Sequence, residues 1–292
     1  MKFFSFSLYL FILTFALSNQ FLKNNKLRNL DDEKNIIEIE ILSDSTGEVS
    51  FIESDYLEKI EKIIVNGTEM TENKSSTTVN ANEKYTITIQ FKNDFKGSCG
   101  GMFGNLKKIK KIKFQNFNGC TSADSMFAGC SSLESLDLSS FDSSKVYSMV
   151  STFDGCSSLE FLDLSSFNTS SLTSMEAMFY GCSKLESLDL SSFDTSKVTE
   201  FDGMFFDCIS LESLNFSSFN TSSVKKMENM FYNCYSLSEL ILSSSFTMVN
   251  VENYDDMFPN YYISVTQNEA NLKADIKNLI DATNSIRDLK KT

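Results

Sequence analysis

Five cysteines, Cys130, Cys156, Cys182, Cys208 and Cys234, stand 26 residues apart. Leucine pairs travel with them: Leu136/Leu138, Leu162/Leu164, Leu188/Leu190, then Leu214/Phe216 and Leu240/Leu242. A constant period of this size means a solenoid, because no single unit can bury its own apolar face and neighbours must stack to make a core.

One unit shows the physics. In Leu185-Glu186-Ser187-Leu188-Asp189-Leu190, the alternation at the end reads as a short strand with leucines inward and Asp189 outward. Met175, Met178, Phe179 and Cys182 are spaced i, i+3, i+4, i+7, which predicts one face of a short helix, with Thr173 and Glu176 as its capping box. Before each ladder cysteine stands Gly129, Gly155, Gly181, Asp207 or Asn233, residue types that tolerate left-handed backbone. Each coil therefore reads strand, Ser/Asx turn, short helix, left-handed cap. Asp142, Asn168, Asp194 and Asn220, each followed by Ser or Thr, suit Asx turns.

These units resemble the BspA-type leucine-rich repeats, in particular the mycoplasma-lipoprotein-like class, over roughly Met102 to Phe258. The resemblance implies a secreted or surface protein used for adhesion or binding, without catalysis. The chain departs from lipoprotein members in having no cysteine near the signal cleavage region.

The expected architecture is thus α/β: a leucine-rich-repeat solenoid of about six coils over 99–262, with a small N-terminal β domain or cap over 36–98 and a C-terminal helical cap over 263–292. Lys2 and the apolar run Phe3 to Leu17 predict a signal peptide over 1–18, with an uncleaved anchor as the alternative. Residues 19–35 read as a linker. Four alternating stretches, around Ile37–Ile41, Val49–Phe51, Ile63–Val65 and Tyr85–Phe91, mark the β region. Ala270 to Leu289 carries the helical pattern, as a cap or a coiled-coil segment. No transmembrane or lipid-attachment tail is expected, so no membrane span would remain after signal removal.

The chemistry is narrowed by absence. The chain has no histidine, which removes Ser-His-Asp and Cys-His catalysis and every His-containing zinc site. The ladder cysteines share one inward position and are read as buried thiols that act as small hydrophobes; Cys99 and Cys120 lie outside the register and either pair or stay free. A net charge of −13 argues against nucleic acid and anionic membrane. No cofactor, catalytic residue or metal site is expected.

The candidate binding face is a set of outward carboxylates: Glu134, Glu160, Glu186 and Glu212 in one row, Asp137, Asp163 and Asp189 in another, continued by Asn215 and Ile241. Two readings compete, a solvated face inherited by duplication and a recognition face for a cationic partner. Calcium suits carboxylate oxygens, but the chain has neither an EF-hand loop nor a glycine–aspartate calcium repeat. At the solenoid's start, an offset of 24 sets Lys110 beside Glu134 and Lys113 beside Asp137. Asn66 and Asn73 are the candidate glycan acceptors. The partner would be a protein or a glycan. The competing function is a self-assembling extracellular coat or matrix component, and a hydrolase is disfavoured.

Overall fold

The computed structural model describes residues 34–93, 95–257 and the backbone of Ser264–Val265. The signal and helix readings, over 1–18 and Ala270 to Leu289, fall outside the described residues, as does most of the expected linker.

The N-terminal part comprises β1 (Ile36–Leu42), β2 (Gly47–Ser50), a 3₁₀ turn at Ser54–Lys59, β3 (Ile60–Val65), β4 (Thr68–Glu69), β5 (Ser76–Val79) and β6 (Lys84–Phe91). Then come β7 (Gly97–Ser98), β8 (Ile109–Gln115), β9 (Cys120–Ser122), β10 (Ser135–Asp137), β11 (Ser187–Asp189), β12 (Ser213–Phe216), β13 (Glu239–Leu242) and β14 (Ser264–Val265). One six-stranded sheet runs β10-β8-β1-β6-β3-β4, and a four-stranded one runs β11-β12-β13-β14. The alternation of Ile37, Ile39 and Ile41 puts all three in the core, and β1 lies antiparallel to β8. The N-terminal strands therefore share a sheet and a core with the first coil.

The described residues form an all-β solenoid, which corrects the α/β assignment. Among the described residues the only helix is the 3₁₀ turn. The segment Met175–Cys182, expected as a helix, is a run of turns. Its alternate amides leave the coil: Met175, Ala177, Phe179 and Gly181 N–H donate to Glu200, Asp202, Met204 and Phe206 carbonyls at 3.2, 2.8, 2.9 and 2.7 Å. The amides between them close local turns, Met178 onto Met175, Tyr180 onto Ala177 and Cys182 onto Phe179. A helix would spend every N–H inside the coil and leave none to join the next one. Seven residues of apolar spacing do not separate a helical face from turns that bury the same residues. Thr173 is no helix cap: its hydroxyl donates to the Tyr147 carbonyl of the preceding coil at 3.1 Å. The C-terminal helical cap is corrected where it is described: the span given to it opens as β14, paired parallel with β13, and the rest of that span lies outside the described residues.

The left-handed positions are where the sequence puts them. Gly129, Gly155, Gly181, Asp207 and Asn233 have φ of 73, 69, 66, 58 and 58°. A second left-handed position, four residues earlier, went unread: Ser125, Ser151, Ala177, Gly203 and Asn229, with φ of 54, 53, 52, 57 and 54°. Residues as unlike as alanine and asparagine occupy it, so composition does not betray it.

Stacking generates the core. Phe103, Phe127, Phe153, Phe179, Phe205 and Phe231 form one column with ring centroids 5.4 to 5.8 Å apart and planes within 11°. Each ladder thiol donates to the phenylalanine carbonyl one coil back: Cys130, Cys156, Cys182, Cys208 and Cys234 Sγ lie 2.9, 3.3, 3.1, 3.0 and 2.9 Å from the carbonyls of Phe103, Phe127, Phe153, Phe179 and Phe205. All seven cysteines are free and buried. A further column, also unread in the sequence, consists of buried hydroxyls. Thr169 and Thr195 Oγ1 each donate to a carbonyl of the next coil, that of Asp194 and Asn220, and accept the same residue's N–H.

Candidate functional site: an interrupted sheet face

The outward carboxylates lie on the strand side of the coils. Glu134, Glu160, Asp163, Glu186, Asp189 and Glu212 are exposed and Asp137 is half-buried. The two rows differ in their local bonding. Asp137, Asp163 and Asp189 Oδ1 each accept the N–H two residues on, from Ser139, Ser165 and Ser191, at 3.1, 2.9 and 2.9 Å, and Asn215 does the same for Ser217. These bonds hold the three carboxyls below the usual range: the serine hydroxyl and amide dominate for Asp137 and Asp163, the Ser191 amide and hydroxyl for Asp189. The aspartate row therefore shapes the turn as well as charging the face. Sequence reasoning found such Asx turns only at Asp142, Asn168, Asp194 and Asn220, where they are also present, at 3.0 to 3.1 Å.

At the solenoid's start the charges compensate. Lys110 Nζ is 2.8 Å from Glu134 Oε1, and Lys113 Nζ is 3.5 Å from Asp137 Oδ2, as the offset of 24 predicts. The Lys110 ammonium is the main cause holding the Glu134 carboxyl down.

The backbone ladder follows the charges. Where Lys113 faces Asp137, β8 and β10 pair. Where Asp189 faces Asn215, and Asn215 faces Ile241, β11, β12 and β13 pair. Between them Asp163 faces Asp137 on one side and Asp189 on the other, and the segment Phe161–Leu164 is not a strand. Among the described residues, Phe161, Leu162 and Asp163 exchange no backbone hydrogen bond with either neighbouring coil. The bonds along the glutamate row are also longest beside the break, although the like-charged pair Glu186 and Glu212 does bond. Glu134 N–H reaches Lys110 carbonyl at 2.9 Å, Glu186 reaches Glu160 only at 3.5 Å, Glu212 reaches Glu186 at 3.1 Å, and Ser238 reaches Glu212 at 2.9 Å. Like charges directly opposite on adjacent strands repel, and opposite or neutral pairs do not.

Phe161 sits at this break. Its equivalents one and two coils away are Ser135, Ser187 and Ser213. Its ring is 68% exposed, in a chain that buries most of its phenylalanines. It separates two grooves, one of about 480 Å³ toward β11–β13 and one of about 340 Å³ toward β10, and Asp163 lines both. Phe161 is a functional candidate that the sequence reading passed over, although a phenylalanine in a column of serines was a visible signal.

A family model described as a Mycoplasma protein of unknown function, DUF285, matches residues 97–188 and 149–272. The chain belongs to this family. No curated protein and no solved structure matches. The DUF285 matches begin at β7 and run through β14, so they span the repeat and both grooves.

The other candidates lie apart from this face. Asn66, at the turn between β3 and β4, accepts the Thr86 N–H on its Oδ1 at 2.8 Å, while Asn73 Nδ2 donates to the Ile60 carbonyl at 3.2 Å. Among the described residues no group of three or more His, Cys, Asp or Glu is arranged to hold a metal, and no helix is long and apolar enough to cross a membrane.

Proposed function

We propose that this DUF285 chain is a binding protein without catalysis, which engages a protein or glycan partner through its carboxylate-lined sheet face. The observation that carries the reading is Phe161, an exposed ring between two grooves and two rows of carboxylates, where the neighbouring coils have Ser135, Ser187 and Ser213. Exposed aromatic groups ringed by polar ones are the usual anchors of recognition surfaces. The apolar N-terminal run and the likeness of the units to BspA-type leucine-rich repeats support secretion and a role in adhesion at a cell surface.

The test is a partner screen with the secreted chain against extracellular proteins and glycans, repeated with the fourfold variant E160Q/D163N/E186Q/D189N. The variant is expected to fold, since asparagine keeps the Asx bonds, and to lose the partner chiefly through slower association. A partner retained at full affinity by the variant contradicts the sheet-face reading. Self-association of the wild type, seen by light scattering, would favour the coat or matrix alternative.

A further inference from the structure

We infer that the interrupted ladder at Phe161–Asp163 is a docking site for an arginine-bearing extended peptide segment, a finer statement that rests on the binding reading above. Three features converge on that chemistry. The backbone carbonyls of Phe161, Leu162 and Asp163 accept nothing from the neighbouring coils, which leaves acceptors open beside the grooves. The Phe161 ring offers a flat exposed face on which a planar guanidinium stacks. Asp163 and Asp189 each feel the aspartate of a neighbouring coil, while Lys184 on this face pairs with Glu160 at 3.6 Å, so a cation placed at the aspartates relieves their mutual repulsion.

Arginine meets all three demands at once. Its five N–H donors serve a carboxylate and a carbonyl together, and its plane lies on an aromatic face. A lysine ammonium is a hydrated point charge that satisfies only the Coulombic part. The two grooves on either side of Phe161 give room for successive side chains of an extended segment, and the chain's net charge of −13 favours its approach.

The test uses the full chain with two labelled probes of equal charge, hexa-arginine and hexalysine. Hexa-arginine is expected to bind at least fivefold more tightly. Phe161→Ser, which installs the residue of the neighbouring coils, should weaken hexa-arginine about tenfold, Phe161→Leu should weaken it similarly, and Phe161→Tyr should keep it. D142N/D194N removes the same charge as D163N/D189N but away from the grooves, and should leave affinity within twofold. Equal binding of the two peptides, an undiminished Phe161→Ser variant, or equal losses in the two double variants would each overturn the site. If the partner from the screen is lost by the fourfold variant but kept by Phe161→Ser, the arginine site fails and the sheet-face reading stands. If the fourfold variant keeps the partner, the broader reading fails as well.

Discussion

The two sides of each coil are made by one repeat, yet one side is continuous and the other is broken. On the turn side, backbone bonds pass without a gap from Thr121 to Tyr147, Thr173, Thr199, Lys225 and Glu252, each 2.8 to 3.0 Å long. On the strand side the ladder closes at β8–β10, opens around Phe161–Asp163 and closes again from β11. The leucines beneath the break are as buried as elsewhere, Leu162 and Leu164 included. The difference therefore lies in what the outward residues do to one another. The turn side offers neutral or mixed side chains to its neighbours, while the strand side at the break sets Asp163 between Asp137 and Asp189. An apolar core sets the stacking of coils, and surface charge decides whether their edges bond.

The largest expected effect tests whether the core is indifferent to the break. Phe179→Ala removes a ring from the middle of the column and should cost about 3–5 kcal/mol. Phe161→Ser, one coil away on the exposed side, should change stability by less than about 0.5 kcal/mol. Denaturant unfolding of both variants checks this, and comparable losses would show that Phe161 is part of the core.

Next in size is the left-handed turn. Gly181 has φ of 66°, and a Cβ there would meet Gly155 backbone at an ordinary 3.6 Å, so the penalty comes from the dihedral. Gly181→Val should cost about 1–3 kcal/mol and Asp207→Asn almost nothing. Gly129→Ala should be worse than Gly181→Ala, since its Cβ would lie 2.5 Å from Asn105 Oδ1.

The thiols give a pH-dependent contrast on the continuous side. Burial pushes the Cys130, Cys182 and Cys234 thiols up to about 12, and those of Cys156 and Cys208 well above the usual value. A folded pKa raised above the unfolded one gives stability that is complete below about pH 8.5 and is lost as pH rises toward the folded value. The unfolding midpoint should therefore fall between about pH 9 and pH 12, and fall less in a Cys156→Ala/Cys182→Ala variant. Native alkylation at pH 8 should leave all five ladder cysteines unmodified, and rapid labelling would contradict their burial.

Much of this was legible because repetition averages out the ambiguities of single positions. The period, the inward leucines, the left-handed residue before each cysteine and the lysine–carboxylate register at Lys110 and Lys113 all follow from spacing. The helix was misread because Met175, Met178, Phe179 and Cys182 satisfy two geometries, and only the destination of their amides separates them. The buried Thr169 and Thr195 hydroxyls were passed over because their bonding partners lie one coil away. The break at Phe161 was not foreseen either, though both causes were in view: a phenylalanine among serines, and three aspartates in succession.

Amide hydrogen exchange tests the central claim, that like charge holds the ladder open. In the wild type, Phe161, Leu162 and Asp163 amides should exchange far faster than those of Phe153 and Phe179, which donate to the next coil at 2.9 Å. In Asp163→Asn, which keeps the acceptor for Ser165 but removes the central charge, the amides at Phe161–Asp163 should slow markedly, and high salt should slow them in the wild type. If they are as protected as Phe153 in the wild type, or if neither the substitution nor salt changes their rates, the charge account of the break is wrong.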